Sequence, residues 1–158
     1  MPVTNQNAFA ALRLLHRSLL IGMALFTGVT LYLVVSGAFK AQVGFSLDRN
    51  LQVVAALLSV GCLFIGFRVF RNKISEIRKV NESGEEKFNR YRGACIIWWA
   101  LIEMPGLFGA ICFLLSSNYA FFALACFHIL ALAVFMPRRD NIIVLLNLSS
   151  EEANELGN

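Results

Sequence analysis

Charge is scarce in this chain. Aspartate, glutamate, lysine and arginine make up 15% of its 158 residues, against about 25% in soluble domains. Nine of the ten acids, and most of the bases, lie between apolar blocks rather than within them. Hydrophobic residues reach 58%, above the roughly 45–50% of soluble chains. So few polar groups cannot cover a soluble core of this size, and lipid is the expected solvent. The length suits one compact unit, so residues 1–158 are read as a single membrane domain.

Other absences exclude whole classes of function. HExxH, GxGxxG, P-loop and GxSxG sequences are missing, and no enzyme is expected. Ser59 and His128 are the residues from which an intramembrane protease dyad would be built, but nothing around Ser59 builds an oxyanion site. Cys62, Cys95, Cys112 and Cys126 fall inside apolar runs, with no CxxC or Cys/His spacing. They read as small packing side chains, so no metal, cofactor or structural disulfide is expected. The net charge of +4 is not arranged as a basic stripe with interleaved aromatics, which argues against nucleic acid. Bases flanking hydrophobic segments suit anionic lipid headgroups instead.

Four hydrophobic runs are present, at about 18–39, 51–70, 94–116 and 119–136. Each is near the ~20 residues that cross a hydrocarbon core, and in lipid such runs must be helical. The first is too long for the ~7–15-residue apolar stretch of a signal peptide, so it is read as a span. Residues 8–17 extend it backwards, with Arg13 and Arg17 reaching for the headgroups. Twelve of the fourteen lysines and arginines lie before the first run, around the second connection, or after the fourth. Only Lys40 and Arg49 lie on the other side. By the positive-inside rule both termini and the central connection are cytoplasmic, in a bacterial inner membrane. The expected fold is all-α: a four-helix transmembrane bundle of two hairpins, with a cytoplasmic helical extension between the second and third helices.

The connection at 71–93 carries Ile74, Ile77 and Val80 at helical spacing, so the second helix is expected to continue beyond the bilayer. Residues 81–84, Asn-Glu-Ser-Gly, mark a turn, and Glu86 and Arg90 form an i,i+4 pair after it. Ser116, Ser117 and Asn118 make a tight hairpin. In the tail, 137–158, the segment DNIIVLLNL (140–148) is too short to span and is expected along the headgroup plane. Ser149 and Glu152 have capping-box spacing, and the acidic end reads as a solvated tail.

Glu103 is the exception to the segregation of charge. It stands about nine residues into the third run, roughly 14 Å deep at ~1.5 Å per residue. Carboxyls at such depth face a protein interior and serve an ion pathway or a partner. Pro105 leaves the Leu101 carbonyl without its helical donor. Gly106 and Ala110 form a small-xxx-small face for close helix packing. In an antiparallel hairpin centred near Asn118, His128 comes opposite Leu107, one turn from Glu103. A Glu103–His128 contact is therefore expected, either as a structural hydrogen bond or as a proton- or cation-binding pair. Trp98 and Trp99 read as interfacial anchors. Thr27, Thr30, Ser36 and Ser59 are expected to bond carbonyls of their own helices.

The segment ALIEMPGLFGAICFLL (Ala100 to Leu115) resembles the carboxylate helix of proteolipid subunits, the c or K subunits of rotary ATPases. The resemblance implies that Glu103 is an ion-binding carboxyl on the second helix of a hairpin with a cytoplasmic loop. The partner helix in that family is glycine-rich, whereas the second run here holds only Gly61 and Gly66, and the loop is long and charged. The whole chain is similar to an uncharacterised bacterial family of small four-helix membrane proteins, through LRLLHRSLLIG, YRGACIIWWALIEMPGLFG and RRDNIIVLLNLSSEE. That likeness implies the architecture and no activity. The functional expectation is a non-catalytic structural or accessory protein, partnered by the lipid bilayer and by itself or a larger membrane complex. The cytoplasmic hairpin and the Gly106/Ala110 face are its expected surfaces. The alternative is a proton- or cation-coupling subunit or small transporter using Glu103.

Overall fold

A computed structural model describes residues 6–42, 44–80, 82–149 and 152. Those residues form five α-helices and no strand: α1 (Gln6–Val35), α2 (Phe45–Lys79), α3 (Gly84–Ser116), α4 (Tyr119–Val134) and α5 (Arg139–Leu146). The helices α1, α2 and α3 are long and apolar enough to cross a membrane, and α4 joins them if it and α5 count as one bent span.

Helix lengths follow local chemistry. α1 starts well before residue 18, as residues 8–17 foretell, but stops at Val35 rather than Phe39. Gly37 adopts a left-handed φ of 71°, and the Phe39 N–H reaches back to the Leu33 carbonyl at 3.1 Å. α2 and α3 hold 35 and 33 residues, which is about 50 Å each, far beyond the ~30 Å of hydrocarbon. Their surplus projects at the basic end of the molecule.

Between them Ser83 and Glu86 close a capping box: the Glu86 N–H donates to Ser83 Oγ, and the Ser83 N–H donates to Glu86 Oε2 at 3.2 Å. Because the carboxylate is spent on this cap, Arg90 pairs with Glu82 at 3.2 Å and not with Glu86. Asn81, part of the expected turn, lies outside the described residues.

α4 is shorter than the expected 119–136. The Phe135 N–H turns to the Ala131 and Leu132 carbonyls, at 3.4 and 3.2 Å, and Pro137 has no N–H with which to continue. The chain then swings by 73° into α5. Eight residues rarely hold a helix alone. α5 is held by burial of Ile142 and Leu146 and by Arg78, whose guanidinium donates to the Leu145 and Val144 carbonyls in its last turn. Such a cation also complements the negative end of the helix.

α3 is the central helix and packs on α1, α2 and α4. The larger hydrophobic cluster fills the basic end, joining Leu12, Ile77, Phe88, Trp99, Leu132 and Ile142 from all five helices. A smaller one, around Ala55, Phe113 and Phe121, fills the opposite end. Trp98 and Trp99 are 3% and 1% exposed, so they are core side chains and not a lipid-facing belt. Gly66 makes the room: a Cβ there would stand 2.6 Å from the Trp98 ring.

The tail segment docks as well. Ser149 and Glu152 form the expected capping box, and Glu152 Oε1 accepts from Lys87 at 2.8 Å. The rest of the acidic end, Ser150, Glu151 and residues 153–158 with Glu155, lies outside the described residues.

Candidate functional site

Five helices of mostly hydrocarbon side chains bury a small set of polar groups, and α3 stands among all of them. His16 on α1 is 1% exposed. Its Nε2 lies 2.9 Å from the Leu132 carbonyl near the end of α4, and its ring stands edge-on to Trp99 with centroids 4.8 Å apart. A carbonyl only accepts, so Nε2 carries the proton. This N–H supplements the weak Phe135 donor at a helix end that otherwise leaves carbonyls unsatisfied. His16 therefore ties α1 to the C-terminus of α4.

His128 on α4 is fully buried, and its Nε2 lies 2.8 Å from Ser59 Oγ on α2. Ser59 thus bonds across helices and not within its own. Thr30 does bond its own helix, donating to the Thr27 carbonyl at 2.8 Å, and Ser36 does so weakly at 3.4 Å. The His16 Nδ1 and Thr27 Oγ1 are buried without a hydrogen-bond partner among the described residues. His16 and His128 fasten α4 to α1 and to α2.

Gly106 explains how α4 comes so close to α3. A Cβ at Gly106 would collide with Met23 Cε and lie 2.8 Å from His128 Cβ. Gly109 does the same a turn on, where a Cβ would stand 3.1 Å from the Phe121 carbonyl oxygen. Pro105, Gly106 and Ala110 are all buried. This small-residue face packs within the chain, against Met23 of α1 and His128 of α4.

Glu103 is not part of this set. The hairpin register expected from the sequence is close, because His128 meets Gly106, but Glu103 lies about 60° around the helix from Gly106. His128 bonds Ser59 instead, and Glu103 is half-buried with no hydrogen bond or ion pair to any described residue. The expected Glu103–His128 contact does not form.

Ser59 and His128 do come together, at the separation a nucleophile–base pair needs. Ser59 is 5% exposed and His128 is fully buried, with Met23 and Gly106 packed against the histidine. In this enclosed position the contact ties α2 to α4.

Sequence reasoning gave no role to His16 or Asp48. Asp48, on the first turn of α2, accepts from Gln52 at 2.9 Å and from Asn118 Nδ2 at 2.8 Å. The same Asn118 caps α4 through the Ala120 N–H, and the Gln42 N–H donates to the Leu115 carbonyl at 2.9 Å. Together these bonds close the end opposite the bases. The signal was available, since Asp48 is the one acid near the two bases Lys40 and Arg49. No known protein family, curated protein or solved structure matches the chain. Function must therefore be argued from these groups alone.

Proposed function

We propose that the chain is a non-catalytic, multi-pass protein of the bacterial inner membrane, with both termini cytoplasmic, and that it serves as a structural or accessory component of a larger membrane assembly through Glu103. The observation that carries this reading is the Glu103 carboxyl itself. It stands well along the apolar part of α3, half-buried, with no partner among the described residues. A carboxyl at such depth needs a donor or a proton. The two buried histidines are already engaged with Ser59 and the Leu132 carbonyl. A second copy or another subunit then supplies the missing donor. The segregation of lysines and arginines supports the orientation, and the three long apolar helices support the membrane setting.

In detergent or native membranes, the wild-type chain is expected to migrate as a complex on blue native electrophoresis. Glu103→Ala should release the monomer. As a substitution away from the packed core, it should change the monomer's own stability by no more than about 0.5 kcal/mol.

The second reading is a proton- or cation-coupling subunit in which Glu103 holds the ion. It is favoured by the same carboxyl being reachable from outside the helices, in the segment that resembles a proteolipid. Under that reading the complex survives Glu103→Ala. A hydrophobic carbodiimide labels wild-type Glu103 with a yield that fades as pH rises, and Glu103→Gln is unlabelled.

A further inference from the structure

At the basic end a cavity of about 430 Å³ opens between α2, α3 and the α4–α5 bend. Its floor is aromatic: Phe70, Trp98 and Phe135 pack with one another, at centroid separations of 6.4 Å for Phe70–Trp98 and 5.1 Å for Trp98–Phe135. Its rim holds two arginines, Arg78 and Arg138, and no acidic side chain lines it. Arg78 is fixed there by its bonds to the Leu145 and Val144 carbonyls, with its charge uncompensated by any described carboxylate. Arg138, the residue that opens α5, is exposed, and while its carbonyl accepts from the Ile142 N–H, its guanidinium makes no hydrogen bond or ion pair to a described residue. Val134 and Val144, at 79% and 76% exposed, border the same cavity. The site therefore joins an apolar floor and apolar border to a cationic rim.

We propose that this cavity binds an anionic phospholipid, with its phosphate between Arg78 and Arg138 and the start of one acyl chain against Trp98 and Phe135. The volume lies within the ~300–1,000 Å³ of ordinary ligand pockets, enough for a headgroup and the first part of a chain. The rest of the chain lies along exposed Val134 on α4, in the bilayer. A soluble anion would use the rim and leave the aromatic floor unfilled. A neutral lipid would use the floor and leave two cations unpaired. Only an anionic amphiphile satisfies both, and basic pockets between membrane helices take such headgroups by the same physics. The 73° bend at Pro137 makes the site, because it folds α5 over the ends of α2 and α3. The proposal rests on the membrane setting of the function proposed above, but on nothing about Glu103.

The two tryptophans of the chain, Trp98 and Trp99, both line the cavity, so intrinsic fluorescence reports on it directly. The full chain is reconstituted in phosphatidylcholine vesicles containing phosphatidylglycerol. Either the phosphatidylcholine or the phosphatidylglycerol carries acyl chains brominated near the ester, at the same mole fraction. Brominated phosphatidylglycerol should quench more strongly, with a preference of about fivefold for each arginine engaged. Arg138→Gln should cut that preference about fivefold while leaving the thermal midpoint unchanged, and Arg92→Gln, an exposed base outside the cavity, should leave the preference intact. Equal quenching by both lipids, or a preference untouched by Arg138→Gln, overturns the proposal and leaves the membrane reading standing. Abolition of the preference by millimolar inorganic phosphate overturns it in favour of a soluble-anion site. No quenching by either lipid, with the protein failing to float with vesicles, overturns the membrane setting itself.

Discussion

At the scale of single residues the molecule is specified by a few close fits. Gly106 sits where Met23 and His128 converge, and only the first of these can retreat, since Met23 presents the end of a flexible side chain and His128 its Cβ. Gly106→Ala is expected to destabilise the chain by roughly 1–3 kcal/mol, as overpacking does. Adding Met23→Ala should restore only part of this, because the His128 contact remains. Gly22→Ala, with open space around it, should be silent or slightly stabilising. Thermal unfolding in detergent measures all three. The clasp between Ser59 and His128 is a second test. Ser59→Ala leaves Nε2 of a buried histidine without its partner, for an expected loss of about 0.6–1.7 kcal/mol, the range of polar contacts between membrane helices. A double-mutant cycle with His128→Phe should return a coupling of that size, and additivity within error would remove the clasp from the account.

At the scale of elements, sequence and structure agree where the information is local and part where it is rotational. The continuation of α2 to Lys79, the break in the helix before Gly84 and the Ser149–Glu152 cap were legible, because each depends on residues within one or two turns. His128 falls beside Gly106, one residue from the Leu107 that the hairpin spacing names. The facing direction was not legible: whether His128 meets Glu103 or Ser59 depends on how three helices are rotated about their axes. Gly66, Gly106 and Gly109 set that rotation jointly, through contacts with other helices. α5 gives the clearest test of local packing. Ile142, 1% exposed in the cluster that spans all five helices, should lose about 2–5 kcal/mol on truncation to alanine.

The tail beyond α5 should respond to acid. The Lys87 ammonium holds the Glu152 carboxyl below its usual 4.5, helped by the Ser149 N–H. A carboxyl lowered in this way stabilises the docked tail fully above pH 4.5, and the contribution fades as pH falls from there through the lowered value. Proteolysis of the tail should therefore accelerate below that pH in the wild type. In Glu152→Gln the tail should be equally susceptible on both sides of it.

At the scale of the whole molecule the two ends are chemically different, and the difference argues for one orientation. One end carries twelve of the fourteen lysines and arginines, together with the α5 platform; the other carries Lys40, Arg49 and the network of Asp48, Gln52 and Asn118. Short basic connections are retained on the cytoplasmic face, whereas acids contribute little to the choice, so the Asp48 end should face outward. Cysteine labelling with a membrane-impermeant maleimide reads this directly. The native thiols make a quiet background, because Cys62, Cys95 and Cys112 are buried and Cys126 is half-buried within α4. Ser46→Cys, on the exposed first turn of α2, should react in intact spheroplasts. Asn89→Cys, exposed on the first turns of α3, should react only once the membrane is permeabilised. The opposite pattern would invert the orientation and move the arginine-rimmed cavity to the outer leaflet. Labelling of both positions in intact spheroplasts would place both ends of the helices outside the membrane, which no arrangement of α2 and α3 as spans allows.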